Sequence, residues 1–508
     1  MPAQHAQHDR KWWTLAAVCV ATFMLLIDIT IVNVALPDIR AALHSSFSDL
    51  QWVIDAYALT LAAFLLTWGA TSDRIGRRLI FVVGLAIFVL ASAACALSTS
   101  PLFLNLARGV QGIGGAAMFA TSLALIAAAF HGKERGTAFG IWGATIGAAV
   151  AIGPLVGGVL TESVGWESIF YINVPIGIAA IYIALTRVAE SKDPNAGPPD
   201  WLGLVTFSGG LFLLIFALVR GNPEGWGSAL IVGFLIGAVV LLVAFVVVEA
   251  RIASPMFDLA LFRVPTFCGA SIAAFVLSAG LFSMFLYITL YFQNGLGYSP
   301  LQAGLRFLPL SLLAFFAAPL AGRLSARVPI RILIGGGLLL VGIALLLMRG
   351  LNAHSSWTEL LAGLCIAGVG VAFVNAPLAT TAVGVVPQER AGMGSGINST
   401  FRQVGIATGT AALGALFQQL LADRAPGRLA HVPAEVLAQG RPEVAGPGGR
   451  EAYMTLFTGA LNDIFLVGAI IVFIGAVLTF ALIRQRDFIA SGPAMPEEPE
   501  TETEAAAA

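Results

Sequence analysis

Charge is what this chain has least of. Only 11% of its 508 residues are Asp, Glu, Lys or Arg, while 58% are hydrophobic; a soluble protein carries about 25% charged residues. That shortage excludes an ordinary soluble domain. The net charge of -1 comes with no basic stripe, so no nucleic-acid partner is expected. Cysteine is scarce too. Cys19, Cys95, Cys268 and Cys365 all lie inside apolar runs and read as small buried hydrophobes, with no disulfide framework. No metal cluster, nucleophile–base constellation or haem pair stands in the sequence. His131, His354 and His431 are isolated in predicted loops, so neither an enzyme nor a metal or cofactor site is expected. A phosphate-cradling Gly-x-x-x-x-Gly-Lys-Ser loop is absent. Strand-length alternation is missing as well, which argues against a β-barrel.

Long apolar runs are what is there. Stretches of about 20 apolar residues recur along nearly the whole chain, the signature of an all-α polytopic membrane protein. Fourteen transmembrane helices are predicted, at roughly 12–36, 50–70, 79–98, 102–128, 137–161, 166–187, 201–220, 227–249, 265–293, 300–322, 331–349, 358–385, 392–421 and 455–483. The first is too long for a signal-peptide core and has no small-residue cleavage site behind it, so it is expected to be retained. An even count puts both termini on one side. Most of the 27 basic residues then fall in the segments on that side, which makes it the cytoplasmic one of a cell (inner) membrane. The expected division is a cytoplasmic N-terminus (1–11), a six-helix half (12–187), a linker with two extra helices (188–264) and a second six-helix half (265–487). An outer loop at 422–452 is rich in Pro, Gly, Arg and Glu, and 488–508 reads as a disordered acidic cytoplasmic tail.

An internal repeat supports two halves. Gly69-Ala-Thr-Ser-Asp73-Arg74-Ile-Gly76-Arg77-Arg78 follows the second run, and Gly322-Arg323-Leu-Ser-Ala-Arg327-Val-Pro-Ile-Arg331 follows the tenth. Both share the frame Gly-x-x-Ser-x-Arg and a later Arg. The second and tenth helices therefore correspond, and the seventh and eighth are an insertion. Parallel repeats around a central site are a transporter architecture. Asp73 can cap the following helix or face a neighbouring helix N-terminus, and Arg74, Arg77 and Arg78 set orientation at headgroup level.

These residues resemble the major facilitator superfamily, and within it the fourteen-span drug:proton antiporter family of the multidrug efflux type. Gly69 to Arg78 looks like the family's loop between its second and third spans, and Leu106-Ala-Arg108-Gly-Val-Gln111-Gly112-Ile-Gly114-Gly-Ala116 like its span-four motif. The stretch from Gly147 to Gly153-Pro154-Leu-Val-Gly157-Gly158 is similar to its span-five motif. Leu26-Ile-Asp28 to Asn33-Val-Ala-Leu-Pro37, and Trp166 to Asn173-Val-Pro175-Ile-Gly177, resemble the fourteen-span branch. Two departures stand out. Glu167-Ser168 follows Trp166 where the family places a basic and an aromatic residue, and Ala326 replaces an Asp in the second-half loop. The resemblance implies a major facilitator fold, a role for Arg108 in proton coupling, and a span-five bend at the interface of the halves that limits proton leak.

The intramembrane charges carry the chemistry. Asp28 sits deep in the first run, where a carboxylate costs roughly 2.5 kcal/mol or more; the structural alternative is a capped or snorkelling Asp. Arg108 is a buried cation that needs a carboxylate or backbone carbonyls, and Asp28 and Asp55 are the nearest acids in the first half. A neighbouring cation favours an ionised carboxylate and desolvation favours the neutral one, so opening such a site to either side changes which dominates. Asp28, Asp55 and Arg108 are the proton-coupling candidates. Substrate-binding candidates are Asn33, Tyr57, Gln111, Met118, Phe282, Phe285, Arg306 and Asp463; Arg402 reads as a snorkelling residue. Gly69, Asp73, Arg74, Gly76, Arg77, Arg78, Gly153, Pro154, Gly157 and Gly158 form the conformational motifs.

The expected activity is export of hydrophobic or cationic drugs or metabolites, driven by protons through alternating access. A membrane potential supplies about 2.3 kcal/mol per charge per 100 mV. The expected partners are those small molecules, protons and the lipid bilayer, with a monomeric protein; nothing in the outer loop demands a periplasmic adaptor. A proton-coupled importer of a small solute and a non-transporting membrane sensor are the alternatives. The span-five motif and the shortage of buried polar groups count against the importer, and a sensor would bind ligand without flux.

Overall fold

Runs of Leu, Ala, Val and Ile without charge form helices in an apolar setting, because every backbone N–H and C=O must be satisfied within the segment. The computed structural model describes residues 2–488 except 46, 131, 193–199, 253–254, 256, 326, 388–389, 439–441 and 447. The acidic tail beyond 488 and residues 193–199 of the expected linker lie outside the described residues. So do the side chains of Asn33 and Pro154.

Helices run one after another. They are α1 (Pro2–Leu43), α2 (Phe47–Ile75), α3 (Arg77–Ala96), α4 (Pro101–Ala129), α5 (Gly132–Ser163), the short α6 (Ser168–Tyr171), α7 (Asn173–Arg187), α8 (Trp201–Glu224) and α9 (Ala229–Glu249). They continue as α10 (Pro265–Leu277), α11 (Met284–Leu290), α12 (Pro300–Arg306), α13 (Leu308–Leu324), α14 (Ile330–Leu347), α15 (Leu361–Gly384), α16 (Ala391–Arg424), the one-turn α17 (Ala434–Leu437) and α18 (Arg450–Leu482). Among the described residues twelve helical segments are long and apolar enough to cross a membrane, α6–α7 and α10–α11 each counting as one. Besides these, α13 is a shorter apolar helix, and α5 is a helix of 32 residues.

Two cores organise the bundle. One is built from α1 to α5 and α7, around Met24, Leu61, Phe81, Phe88, Phe139 and Trp142; the other from α10 to α18, around Leu277, Tyr291, Leu338, Phe417, Phe457 and Phe465. The hairpin α8–α9 stands outside both. It docks α8 against α2 and α16 through Phe207, Leu211 and Ile215, and leaves Ile236, Val239, Val240 and Val243 of α9 exposed. An all-apolar exposed face of this kind suits lipid contact.

The halves meet along two glycine seams related by the internal repeat. In one, Gly69 of α2 faces Gly392 and Gly396 of α16, and a Cβ on Gly396 would lie 3.1 Å from the Leu65 carbonyl oxygen. In the other, Gly322 of α13 faces Gly136 and Gly140 of α5, and a Cβ on Gly140 would lie 2.9 Å from the Ala318 carbonyl oxygen. Gly322 occupies the place of Gly69 in the repeat, and each partner helix carries Gly-x-x-x-Gly. Small residues at this spacing let backbones approach closely.

The described part of the outer loop is folded against the helices. Leu429 and Leu437 are buried, and the Tyr453 hydroxyl donates to the Leu437 carbonyl at 2.6 Å. Gly153 and Gly157 differ from their expected place between the halves: Thr30 and Ile31 of α1, in the same half, fill the space beside them. The glycines of α5 that meet the other half are those nearer its N-terminal end. Alanine at Gly140 should therefore destabilise the protein by about 1–3 kcal/mol, because a backbone stands where its Cβ must go. Alanine at Gly158, which has nothing within 4 Å, should not. Thermal unfolding of the two variants in detergent checks this.

Candidate functional site

Asp28 and Arg108 meet inside the first half. The Arg108 Nη1 lies 2.5 Å from the Asp28 Oδ2, and the two residues are 1% and 0% exposed respectively. The other carboxylate oxygen accepts from Gln111 Nε2 at 3.0 Å and Asn173 Nδ2 at 2.9 Å. Arg108 also donates through Nε to the Val53 carbonyl (2.9 Å) and through Nη1 to Gln111 Oε1 (2.7 Å). Its guanidinium lies over the Tyr57 ring at 4.2 Å. Asn173 donates onward to Ser92 Oγ at 3.0 Å, and Ser92 to the Phe170 carbonyl at 2.9 Å. One ion pair thus ties together α1, α2, α3, α4, α6 and α7.

Local sequence explains how each part arrives. Arg108 and Gln111 are three apart on α4, one above the other on a single face. Gly112 lets α4 close on α2, because a Cβ there would fall on Thr60 and the Tyr57 carbonyl. Thr60 Oγ1 bonds the Gly109 carbonyl at 2.8 Å. A carboxylate and guanidinium withdrawn from water need this many polar partners, since desolvation otherwise exceeds the attraction.

A second polar centre lies where α2 meets α3 and α16. Asp73 accepts from the backbone N–H of Gly392 (2.9 Å) and Met393 (2.8 Å), which are orphan donors in the first turn of α16. Arg77 Nη2 holds the same carboxylate at 2.9 Å. Gly76 has φ +142°, a conformation that other residues rarely adopt. It makes the tight turn into α3, whose first N–H groups at Arg78 and Leu79 donate to Glu190 at 3.0 and 3.1 Å. Arg74 donates to the Pro255 carbonyl beyond α9 at 3.1 Å.

The remaining candidates are dispersed. Asp55 faces α8, in a recess with Trp52, Leu59, Phe216 and Arg220, apart from the Asp28 network. Tyr57, Gln111 and Met118 are buried in the first half. Phe282 and Phe285, 5.5 Å apart and edge to face, line a cavity between the halves with residues of α5, α13 and α15. Arg306 packs flat on Tyr298, 3.4 Å from the ring centre, and Asp463 pairs with Arg424 at 2.6 Å. Among the described residues no three His, Cys, Asp or Glu side chains converge as metal ligands.

Sequence reasoning missed several contributors. Asn173 was visible within a motif but carried no role until its amide met Asp28. Arg220, the last residue of the seventh predicted run, carried no role until it shared a recess with Asp55. The chain around Phe282 is a π-helical turn, Ser278–Phe282; such turns gather at functional sites, and no composition signal announces them.

Comparison with known proteins agrees with this architecture. The sequence profile described as Major Facilitator Superfamily matches residues 18–410. The multidrug resistance protein Stp of Mycobacterium tuberculosis is 38% identical over 404 residues, covering 79% of this chain and 75% of that protein. The tetracenomycin C resistance and export protein of Streptomyces glaucescens is 36% identical over 426 residues, covering 83% and 78%. The puromycin resistance protein pur8 of Streptomyces alboniger is 35% identical, covering 80% and 81%. Among solved structures, the human organic anion transporter MFSD10 shares the fold, with a TM-score of 0.61 at 17% identity over 91% of this chain and 99% of that one.

Arg108→Gln should cost about 3–5 kcal/mol, because it strands a buried carboxylate. Adding Asp28→Asn should recover much of that loss. A double-mutant cycle on thermal stability measures it; additive losses would mean that the two side chains do not interact.

Proposed function

The chain belongs to the Major Facilitator Superfamily, and we propose that within it this transporter is a proton-driven exporter of hydrophobic drugs or metabolites. The observation that carries the reading is the Asp28–Arg108 pair, an intramembrane carboxylate and cation whose direct bonds join α1, α2, α4 and α7. Static packing has no need of so costly a pair, and exchange of one buried partner for a proton is the simplest way to make it work. The relatives named for drug resistance and export support the outward direction.

The mechanism follows from the geometry. With the pair closed, Arg108 balances an ionised Asp28. Relative movement of α1 and α4 that lengthens the pair leaves a desolvated carboxylate, which a proton from the connected aqueous side relieves. Protonated Asp28 no longer holds Arg108, and the Gln111 and Asn173 amides can turn to the new arrangement. Asp73 and its helix N-terminus act as a latch on one glycine seam, so the seam opens once those bonds yield. Fourteen spans would result from the twelve long apolar helices together with α5 and the broken helix α12–α13. They would form two six-helix halves with α8–α9 inserted. In this reading the protein is a monomer of the inner membrane with both termini in the cytoplasm, and it needs no cofactor besides the proton.

The test is purified protein in liposomes with an imposed pH gradient and a fluorescent lipophilic dye. Dye movement should follow the gradient and fall at least about tenfold in Asp28→Asn, the loss of one charge-assisted contact. Unchanged transport by that variant would move the coupling role to Asp55, beside Arg220.

A further inference from the structure

The intramembrane charges of the described residues do not balance. Asp28 is matched by Arg108, Asp73 by Arg77 and the start of α16, and Asp463 by Arg424; Arg220, across from Asp55, pairs with Glu224, and Arg306 lies over the Tyr298 ring and donates to the Gln302 carbonyl. Arg402 has no such match. It lies about 16 Å along α16 from Ala391, too deep for its head to reach the near end of the helix. Its hydrogen bond runs from Nη1 to the Asn375 Oδ1 at 2.9 Å, and no carboxylate pairs with it among the described residues. Arg402 is half-buried, and an intramembrane cation with no carboxylate beside it marks a candidate substrate or ion pathway.

The surroundings suit such a visitor. Asn375, the partner of Arg402, lines the cavity between the halves, and so do Phe282, Phe285 and Ser311. On α16, Ser395, Ser399 and Arg402 are spaced so as to share one face. The hydroxyls of Ser395 and Ser311 and the amide nitrogen of Asn398 are buried with no hydrogen-bond partner among the described residues. All of these groups can donate. Asn375 and Ser311 are the hydrogen-bonding side chains on the cavity's otherwise apolar wall, and Arg402 stands behind Asn375.

We propose that Arg402 is a specificity-determining residue that binds an acidic group, a carboxylate or phenolate, on an otherwise apolar aromatic substrate. Asn375 positions the guanidinium, and the Phe282–Phe285 pair receives the ring system. This rests on the transporter reading, and it narrows the hydrophobic or cationic compounds expected from the sequence to aromatic acids. An Arg fork recognises a planar carboxylate through two parallel bonds, which a point-charged lysine does not reproduce.

The experiment compares anthraquinone-2-carboxylate with anthraquinone-2-carboxamide, which share a ring and differ in charge. Binding to the full chain in nanodiscs is measured by equilibrium dialysis. The wild type should bind the carboxylate at least about tenfold more tightly. Arg402→Gln should equalise the two, and Arg402→Lys should keep a reduced preference. Equal binding, amide preference or no binding of either by the wild type overturns the proposal, and so does acid preference that survives in Arg402→Gln. The wild-type comparison decides by itself if that variant fails to fold. Gradient-driven uptake of the carboxylate into liposomes is followed in parallel. Acid-selective binding without such flux would count against proton-driven export and leave the assignment of Arg402 in place.

Discussion

A carboxylate that cannot reach water must be answered by a cation, and in this protein that constraint reaches through half the bundle. Asp28 sits on α1, Arg108 on α4, and the groups that complete their hydrogen bonding come from α2, α4 and α7. No one of these helices can move far without breaking a bond to a buried charge. The same features that make the pair expensive make it responsive. A proton on Asp28 removes the reason for Arg108 to stay, and each neighbour then loses a partner as well. Function in this account is the release of a constraint that folding imposed.

In the proposed mechanism the seams between the halves are the place where that release becomes movement. Glycine removes side-chain bulk at both, and the repeat sets them in corresponding positions, so the halves rest on one another backbone to backbone. Their locks differ. The α2–α16 seam carries Asp73 on the α16 N-terminus with Arg77 behind it. At the corresponding place after α13 the sequence has Ala326, which carries no charge. The α2–α16 seam is fastened by charge, and at the α5–α13 seam the described glycines meet backbone. The inserted hairpin bears on the fastened one, since α8 packs on both α2 and α16 and Arg74 reaches the segment after α9.

Much of this was legible in the sequence, and the reasons are physical. Apolar runs of membrane length mark helices because nothing else satisfies a backbone in lipid, so the helical bundle was readable. The Gly69–Arg78 repeat pointed to two halves, and the described residues form two main hydrophobic cores. Asp28 and Arg108 were readable as candidates because charge is rare where they lie, but the need for compensation left Asp28, Asp55 and backbone carbonyls all open as partners of Arg108. What stayed hidden depends on which face of a helix meets which neighbour. Asp55 looked as eligible as Asp28, yet its face of α2 turns to the inserted helix α8. Gly153 and Gly157 looked like an interface between halves, whereas their neighbours are Thr30 and Ile31 of the same half. Arg402 read as a snorkelling residue until its bond to Asn375 put it beside the central cavity. Spacing gives a face, but only packing gives the partner.

The most direct test of the account is whether substrate binding and protonation are linked at Asp28. Purified protein in weakly buffered detergent solution is titrated with a transported compound while proton release or uptake is recorded with an indicator dye. The account predicts a proton change on binding that is large in the wild type and abolished in Asp28→Asn, with ligand still bound. A proton change of the same size in that variant, or none in the wild type at any pH, would contradict it.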